Sequence, residues 1–262
     1  MIPRGLTIAG SDPGGGAGIQ QDLKTFMAHG VWGMSAITAV TVQNTTGVSG
    51  FVELAPDTVA AQIEAVASDI GVDAAKTGML ASVPIVEAVA RAVRDAEIGA
   101  LVVDPVFISK HGDPLLRADA VKAIRTLIIP LALVVTPNAH EASELAGVPV
   151  ETRAQQIDAA RAILGLGTRA VLVKGGHVSG VQAVDVLATA DGVTEIAGPR
   201  VDSPNTHGTG CMLSAAITAG LAKGVDLERA VRDAKGFVTG AIEHSLAIGK
   251  GIGPVNPGWR NQ

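Results

Sequence analysis

Residues 100–106, Ala100-Leu101-Val102-Val103-Asp104-Pro105-Val106, decide the fold. Four consecutive apolar residues have no polar face, so a strand built from them must be covered on both sides. The acid and the proline end it at once, because Asp before Pro favours a turn. A helical period over 118–127 follows, and then a second apolar run at 131–135. Strand, helix and strand in that order make a βαβ unit, and such units build a parallel sheet with helices on both faces.

The same alternation extends in both directions. Toward the N-terminus, strands are expected at 5–9, 32–42, 51–54 and 73–77, and helices at 17–28, 57–69 and 83–96. Toward the C-terminus, helices are expected at 139–146 and 153–164 and a fully apolar strand at 170–173. Residues 181–188 and 193–196 flank Ala190-Asp191-Gly192 and read as a hairpin. Two closing helices are expected at 211–222 and 227–248, and the Gly/Pro-rich residues 249–262 as a surface extension. No linker, repeat or low-complexity tract interrupts the pattern, so residues 1–262 are expected to form a single α/β domain.

Composition narrows the function classes. The chain has 262 residues, 47% of them hydrophobic, which is ample for a large core. Its net charge of -5 gives no basic footprint for nucleic acid or anionic lipid. Aromatic residues are 2% and tyrosine is absent, which removes the stacking platforms of single-strand binders. Cys211 is the one cysteine, so an internal disulfide and a CxxC metal site are both excluded. The start, Met1-Ile2-Pro3-Arg4, carries no signal-peptide pattern, and the apolar run at 127–135 is too short to span a bilayer. A cytoplasmic protein without a membrane partner is expected.

Six motifs fall at strand ends, where open α/β sheets place their chemistry. Residues 9–18, Ala-Gly-Ser-Asp-Pro-Gly-Gly-Gly-Ala-Gly, let backbone approach a ligand ahead of a helix start. They match neither a dinucleotide fingerprint nor a Walker A loop, and a plain βα turn would need fewer glycines. Gln43, in Val42-Gln43-Asn44-Thr45, can both donate to and accept from a heterocycle edge, although a turn-forming polar cluster is the simpler reading. Asp104 stands where a metal or nucleotide ligand would sit. In Thr136-Pro137-Asn138-Ala139-His140-Glu141, Asn138 and Glu141 read as a capping box, or Glu141 as a magnesium ligand. Lys174 precedes Gly175-Gly176-His177 and could meet phosphates. Finally, Asn205-Thr206-His207-Gly208-Thr209-Gly210-Cys211 opens a helix, so its amides can form an anion hole and the helix field should lower the Cys211 thiol pKa. A buried structural cysteine, or a Cys–His hydrolase with His207, are the other readings of that residue.

Gly208-Thr209-Gly210-Cys211 resembles the C-terminal signature of the ribokinase-like superfamily, and its cysteine resembles the hydroxymethylpyrimidine/phosphomethylpyrimidine kinase branch. The other strand-end motifs, together with Lys76-Thr77-Gly78-Met79-Leu80, occur in the order of that branch from Leu6 to about Ile248. Pro13 and His111 depart from residues common there, both usually Ser, and His111 is expected in a lid segment. The resemblance implies a three-layer α/β/α sandwich, a homodimer, and ATP with Mg²⁺. It implies that a pyrimidine lies over Gly10 and Ala17, meets Gln43 and packs on Met79 and Val106, with Asp22 supporting the loop. It places phosphates at Lys174 and the Gly208–Cys211 amides, including Thr209 and Gly210, the nucleotide near Asn138 and Lys235, and Mg²⁺ at Asp104 and Glu141. Cys211 would take the substrate's hydroxyl proton or orient the hydroxyl. The implied activity is two successive phosphorylations of 4-amino-5-hydroxymethyl-2-methylpyrimidine. A pyridoxal/pyridoxine kinase and a catalytically silent vitamer-binding protein are the alternatives.

Overall fold

The computed structural model describes residues 1–107, 118–176, 178 and 180–261. His111 and His177 lie outside the described residues, so the expectation of a lid around His111 is not addressed by the structure. The chain runs β1 (Arg4–Ser11), α1 (Gly18–Ala28), β2 (Trp32–Asn44), β3 (Gly47–Glu53), α2 (Pro56–Asp69), β4 (Ala74–Thr77), α3 (Val83–Asp95) and β5 (Leu101–Val103). It continues through α4 (Ala118–Ala123), β6 (Val134–Val135), α5 (Ala139–Ala146), α6 (Arg153–Leu164), β7 (Ala170–Val173), β8 (Gln182–Thr189), β9 (Gly192–Pro199), α7 (Thr209–Ala222) and α8 (Leu227–Glu243).

The nine strands of the described residues join one sheet in the order β3-β2-β1-β4-β5-β6-β7-β8-β9. The six from β2 to β7 in that order are parallel, while β3, β8 and β9 add antiparallel edges. Alternate strand residues feed two cores. Leu101, Val103 and Val135 face a layer containing α2–α6, whereas Val102, Val134 and Leu172 face α7 and α8. Phe26 of α1 packs with Ala215 and Ala219 of α7, completing the second helical layer. The three-layer α/β/α sandwich is therefore present, and the short apolar runs are the doubly covered strands that their composition demands.

Three expected elements differ. The helical period at 118–127 becomes α4 followed by a π-turn at Ile124–Ile128 and a 3₁₀-turn at Ile129–Leu131, where Pro130 interrupts the ladder; β6 is consequently only two residues long. The last helix stops at Glu243 instead of 248. The segment after it is no surface extension: Gly253, Pro254, Val255 and Asn256 are buried. Ile252 N–H donates to the Thr45 carbonyl at 2.8 Å, His207 N–H to the Gly253 carbonyl at 3.0 Å, and Val255 N–H to the His207 carbonyl at 3.1 Å. The tail thus runs between the end of β2 and the approach to α7, and its glycines permit that close passage. No helix among the described residues is long and apolar enough to cross a membrane.

Candidate active site

Chain order reverses in the sheet at β1 and β4, and a crevice opens outside the carboxyl ends of strands at such a switch point. A cavity of about 820 Å³ lies there. It is lined by Gly10, Ala17, Gln43, Met79 and Val106 at one end, and by Asp104, Asn138, Glu141, Lys174 and Lys235 at the other, with Gly208, Thr209, Gly210 and Cys211 also on its wall. Fourteen of the fifteen residues expected at the site therefore meet around one space. Asp22 does not: it is fully buried in α1 beneath the cavity, accepting from Thr7 Oγ1 at 2.6 Å and pairing with Lys76 Nζ at 3.1 Å.

The loop between β1 and α1 is held by its own acid. Asp12 accepts N–H bonds from Gly14 at 2.8 Å, Gly16 at 3.1 Å and Ala17 at 2.8 Å, while its own N–H donates to Gln20 Oε1 at 2.9 Å. Burial works to raise the Asp12 carboxyl, but the hydrogen bond from His207 and those from the loop amides outweigh it and hold the carboxyl below its ordinary value. Gly18 sits at φ +55°, and a Cβ there would run into the Gly10 carbonyl, so the loop folds back on β1 only because this residue is glycine. Met79 is fixed by Thr38, whose Oγ1 donates to the Met79 carbonyl at 2.6 Å. The Gln43 carboxamide lies 3.3 Å from Thr41 Oγ1 and 3.3 Å from His207 Nε2. His207 Nε2 also reaches Asp12 Oδ2 at 3.0 Å. His207 was legible only as a possible helper of Cys211; it instead joins the two glycine-rich loops.

The opposite end is built from charge. Lys174 Nζ lies 3.0 Å from Asp104 Oδ1 and 3.8 Å from Glu141 Oε2. Glu141 also closes the capping box of α5, accepting the Asn138 N–H at 2.8 Å while Asn138 Oδ1 accepts the Glu141 N–H at 2.9 Å. The capping and charged readings of Glu141 thus hold together. Burial pushes its carboxyl up to about 7, with Lys174 opposing and Asp104 adding to the rise. Burial lowers the Lys174 ammonium, but Asp104 and Glu141 more than compensate, and it keeps its proton. Lys235 Nζ is paired with Asp185 Oδ2 at 2.7 Å, and Asp185 Oδ1 accepts the Gly175 N–H at 2.8 Å.

Between the two ends, Gly208 takes φ +81° and precedes the first turn of α7, so the amides of the following residues open onto the cavity wall. Cys211, half-buried, stands in that turn. Its thiol does not follow the expected shift: burial pushes it up to about 12, and the Lys76 charge pulls the other way without prevailing. The helix field acts on a thiol already removed from water, and desolvation is the larger effect. Lys76 was missed as an individual residue. It is fully buried, lines the cavity floor, and pairs with Asp22 at 3.1–3.2 Å.

Among the described residues, no group of three or more His, Cys, Asp and Glu side chains could hold a metal ion alone. The donors at Lys174 nevertheless suit magnesium, which takes hard oxygens and commonly uses one or two carboxylates together with waters and phosphates.

Residues 12–256 match the family model described as phosphomethylpyrimidine kinase. A hydroxymethylpyrimidine/phosphomethylpyrimidine kinase of Streptomyces coelicolor is 51% identical over 98% of this chain and 95% of its own length. A protein of the same description from Haemophilus influenzae is 49% identical over 96% of this chain and 95% of its own. Among solved structures, the Bacillus subtilis pyridoxal kinase in an ADP complex superposes with a TM-score of 0.92 at 38% identity, covering 100% of this chain and 99% of that one. The Clostridium difficile phosphomethylpyrimidine kinase gives 0.82 at 42% identity, covering 92% and 100%. With a family model matched over residues 12–256 and relatives about half identical over nearly the whole length, the chain belongs to the phosphomethylpyrimidine kinase family.

Proposed function

We propose that the protein phosphorylates 4-amino-5-hydroxymethyl-2-methylpyrimidine with ATP, and then its monophosphate to the diphosphate, in the cavity described above. The observation that carries this reading is the meeting, in one space, of a glycine-rich end bearing Gln43 and an end lined by Asp104, Glu141, Lys174 and Lys235, with the α7 residues Thr209–Cys211 on the same wall. Gly10 and Ala17 leave room for a flat ring, Met79 and Val106 cover its face, and Gln43 reads its edge. Lys174 and the Gly208–Cys211 amides hold the phosphates, with Asn138, Thr209 and Lys235 along the nucleotide. Asp104 and Glu141 would hold Mg²⁺, which when bound neutralises phosphate charge. Lys174 lies 3.0 Å from Asp104 and 3.8 Å from Glu141, so its ammonium is placed beside the two carboxylates that would hold the ion and could meet a phosphate there.

The substrate hydroxyl oxygen forms a bond to the γ-phosphorus while the bond to the bridging oxygen breaks and ADP leaves. Pre-placed amides meet the charge on the transferring group, where such donors act most strongly. Burial pushes the Cys211 thiol up to about 12 and so favours its protonated form at neutral pH, which supports the orienting role over the base role. The loose transition state keeps the hydroxyl proton until late, and it leaves on a phosphoryl oxygen or to water.

A second reading, pyridoxal kinase activity, rests on the likeness to pyridoxal kinases noted above. A coupled ADP-release assay with the aminopyrimidine, its monophosphate and pyridoxal separates the readings. Turnover on both pyrimidines is expected, and turnover on pyridoxal alone would overturn the first reading.

A further inference from the structure

The geometry points to His207 as the residue that fixes which way round the Gln43 carboxamide faces, and hence which ring edge the site accepts. The inference rests on the reading of Gln43 as the group that meets the ring. His207 Nε2 lies 3.0 Å from Asp12 Oδ2, and a carboxylate held by three backbone N–H groups can only accept, so Nε2 carries the hydrogen. In the structure the Gln43 amide nitrogen faces that Nε2 at 3.3 Å, donor against donor. Its oxygen faces Thr41 Oγ1, also at 3.3 Å, but Thr41 has one hydroxyl hydrogen and donates it to the Ser11 carbonyl at the shorter distance of 2.8 Å. Exchanging the two ends of the amide leaves every heavy-atom position unchanged and turns both contacts favourable. The His207 Nε2–H, directed at Asp12, then faces the Gln43 carbonyl oxygen instead of an N–H, so repulsion becomes attraction, and Gln43 Nε2–H donates to Thr41 Oγ1.

That orientation has a direction. The carbonyl end lies on the side of His207, next to Gly208 and the α7 amides, and the NH₂ end lies toward Thr41. A ring meeting the free edge must place a donor opposite the carbonyl and an acceptor opposite the N–H. In 4-amino-5-hydroxymethyl-2-methylpyrimidine the donor is the 4-amino group, the acceptor is N3, and the hydroxymethyl group is the 4-amino group's neighbour. The locked amide therefore turns the hydroxymethyl side of the ring toward the loop where phosphates bind. A 4-oxo analogue, with an acceptor at position 4 and a donor at N3, meets the amide the wrong way round. His207 is thus a positioning residue that sets specificity through Gln43.

The test is the ratio of kcat/KM for the 4-amino substrate to that for its 4-oxo analogue. In His207→Leu the amide can turn over, and the ratio is expected to fall by about tenfold or more, the equivalent of one buried hydrogen bond changing sign. His207→Gln, which restores an N–H donor of similar reach, is expected to recover the ratio. A purely structural role would lower activity on both substrates and leave their ratio alone. Should His207→Leu not fold, Thr41→Val reads the lock from the other end and is expected to lower the ratio too. An unchanged ratio in His207→Leu, or in Thr41→Val where that variant stands in, overturns the inference while a collapsed ratio in Gln43→Ala upholds the reading of Gln43. An unchanged ratio in Gln43→Ala overturns both.

Discussion

The two ends of the cavity are ordered by different forces. At the ring end, the loop of residues 9–18 is pinned by N–H bonds to Asp12, and His207 ties it to the start of α7. At the phosphate end, Asp104, Glu141, Lys174, Asp185 and Lys235 satisfy one another in ion pairs. At the ring end one buried carboxylate accepts backbone N–H bonds of fixed geometry, which makes the loop complete before any ligand arrives, so selectivity there would need no movement of the site. Ion pairs in a partly dry pocket must be exchanged when phosphate enters, so the phosphate end couples affinity to charge rearrangement.

The largest expected effect comes from breaking the charged end alone. Lys174→Met leaves two buried carboxylates without their cation and is expected to cost about 3–5 kcal/mol of stability. It should also lower turnover by about 10² or more through lost phosphate stabilisation. Thermal unfolding and single-turnover rates read both losses, and a variant as stable as wild type would show that the charges are not held by one another.

Gly208→Ala strikes the junction between the ends. The left-handed backbone alone costs about 1–2 kcal/mol with a side chain. The new Cβ would also overlap the Gly16 carbonyl, so both loops must part. KM is expected to rise for pyrimidine and nucleotide together; a rise for one substrate only would mean that the two ends are less joined than the contact implies.

Cys211→Ala gives a smaller change. Loss of a true general base costs about 10²–10⁴ in rate, and loss of an orienting thiol is expected to cost under about 10² with nucleotide binding kept. The same thiol gives a pH test. Iodoacetamide alkylation should be slow at neutral pH and keep accelerating beyond pH 9, since the group is pushed up to about 12. A plateau below pH 8 would restore the reactive thiolate expected from the helix position. ATP with the pyrimidine should protect the thiol at any pH.

The finest test is Glu141→Gln, which keeps the cap and removes the charge. Wild-type Glu141 titrates near 7, above its ordinary 4.5, so the folded chain holds a proton there that the unfolded chain has lost. That contribution is present below pH 4.5 and disappears as pH rises through 7. The variant, permanently neutral, should therefore lose less stability than wild type between pH 5 and 7 in denaturant titrations. Equal slopes would show that the carboxylate is already ionised across that range.

What could be read from the sequence follows the same division. Strands at 101–103 and 170–173 were legible because a doubly covered strand must be apolar throughout, and the glycine loops because backbone approach demands glycine. The capping box of Asn138 and Glu141 was legible from spacing three apart. The pair of Asp22 and Lys76 was not, since only the parallel register of β1 with β4 brings α1 above Lys76. Nor was the burial of the tail, where glycine and proline serve close passage along His207 and Thr45 as readily as they serve exposed turns. The Cys211 thiol was misjudged because helix position is written in the sequence and desolvation is not.

That tail also bears on the order in which the molecule assembles and opens. Gly251 donates to Thr45 Oγ1 across 206 residues of chain. Loop closure of this length is a late event, because its entropy must be met before the contact gives anything back. The sheet and the charged end can consolidate from contacts nearer in sequence, while the wall beside Gln43 waits for residue 252. Val255 of that segment is fully buried in the core with α7 and α8, and the Gly253 carbonyl and the Val255 N–H hold the His207 peptide from both sides. Opening the tail therefore loosens the approach to Gly208 together with the wall beside Gln43, so both ends of the cavity lose a shared support at once.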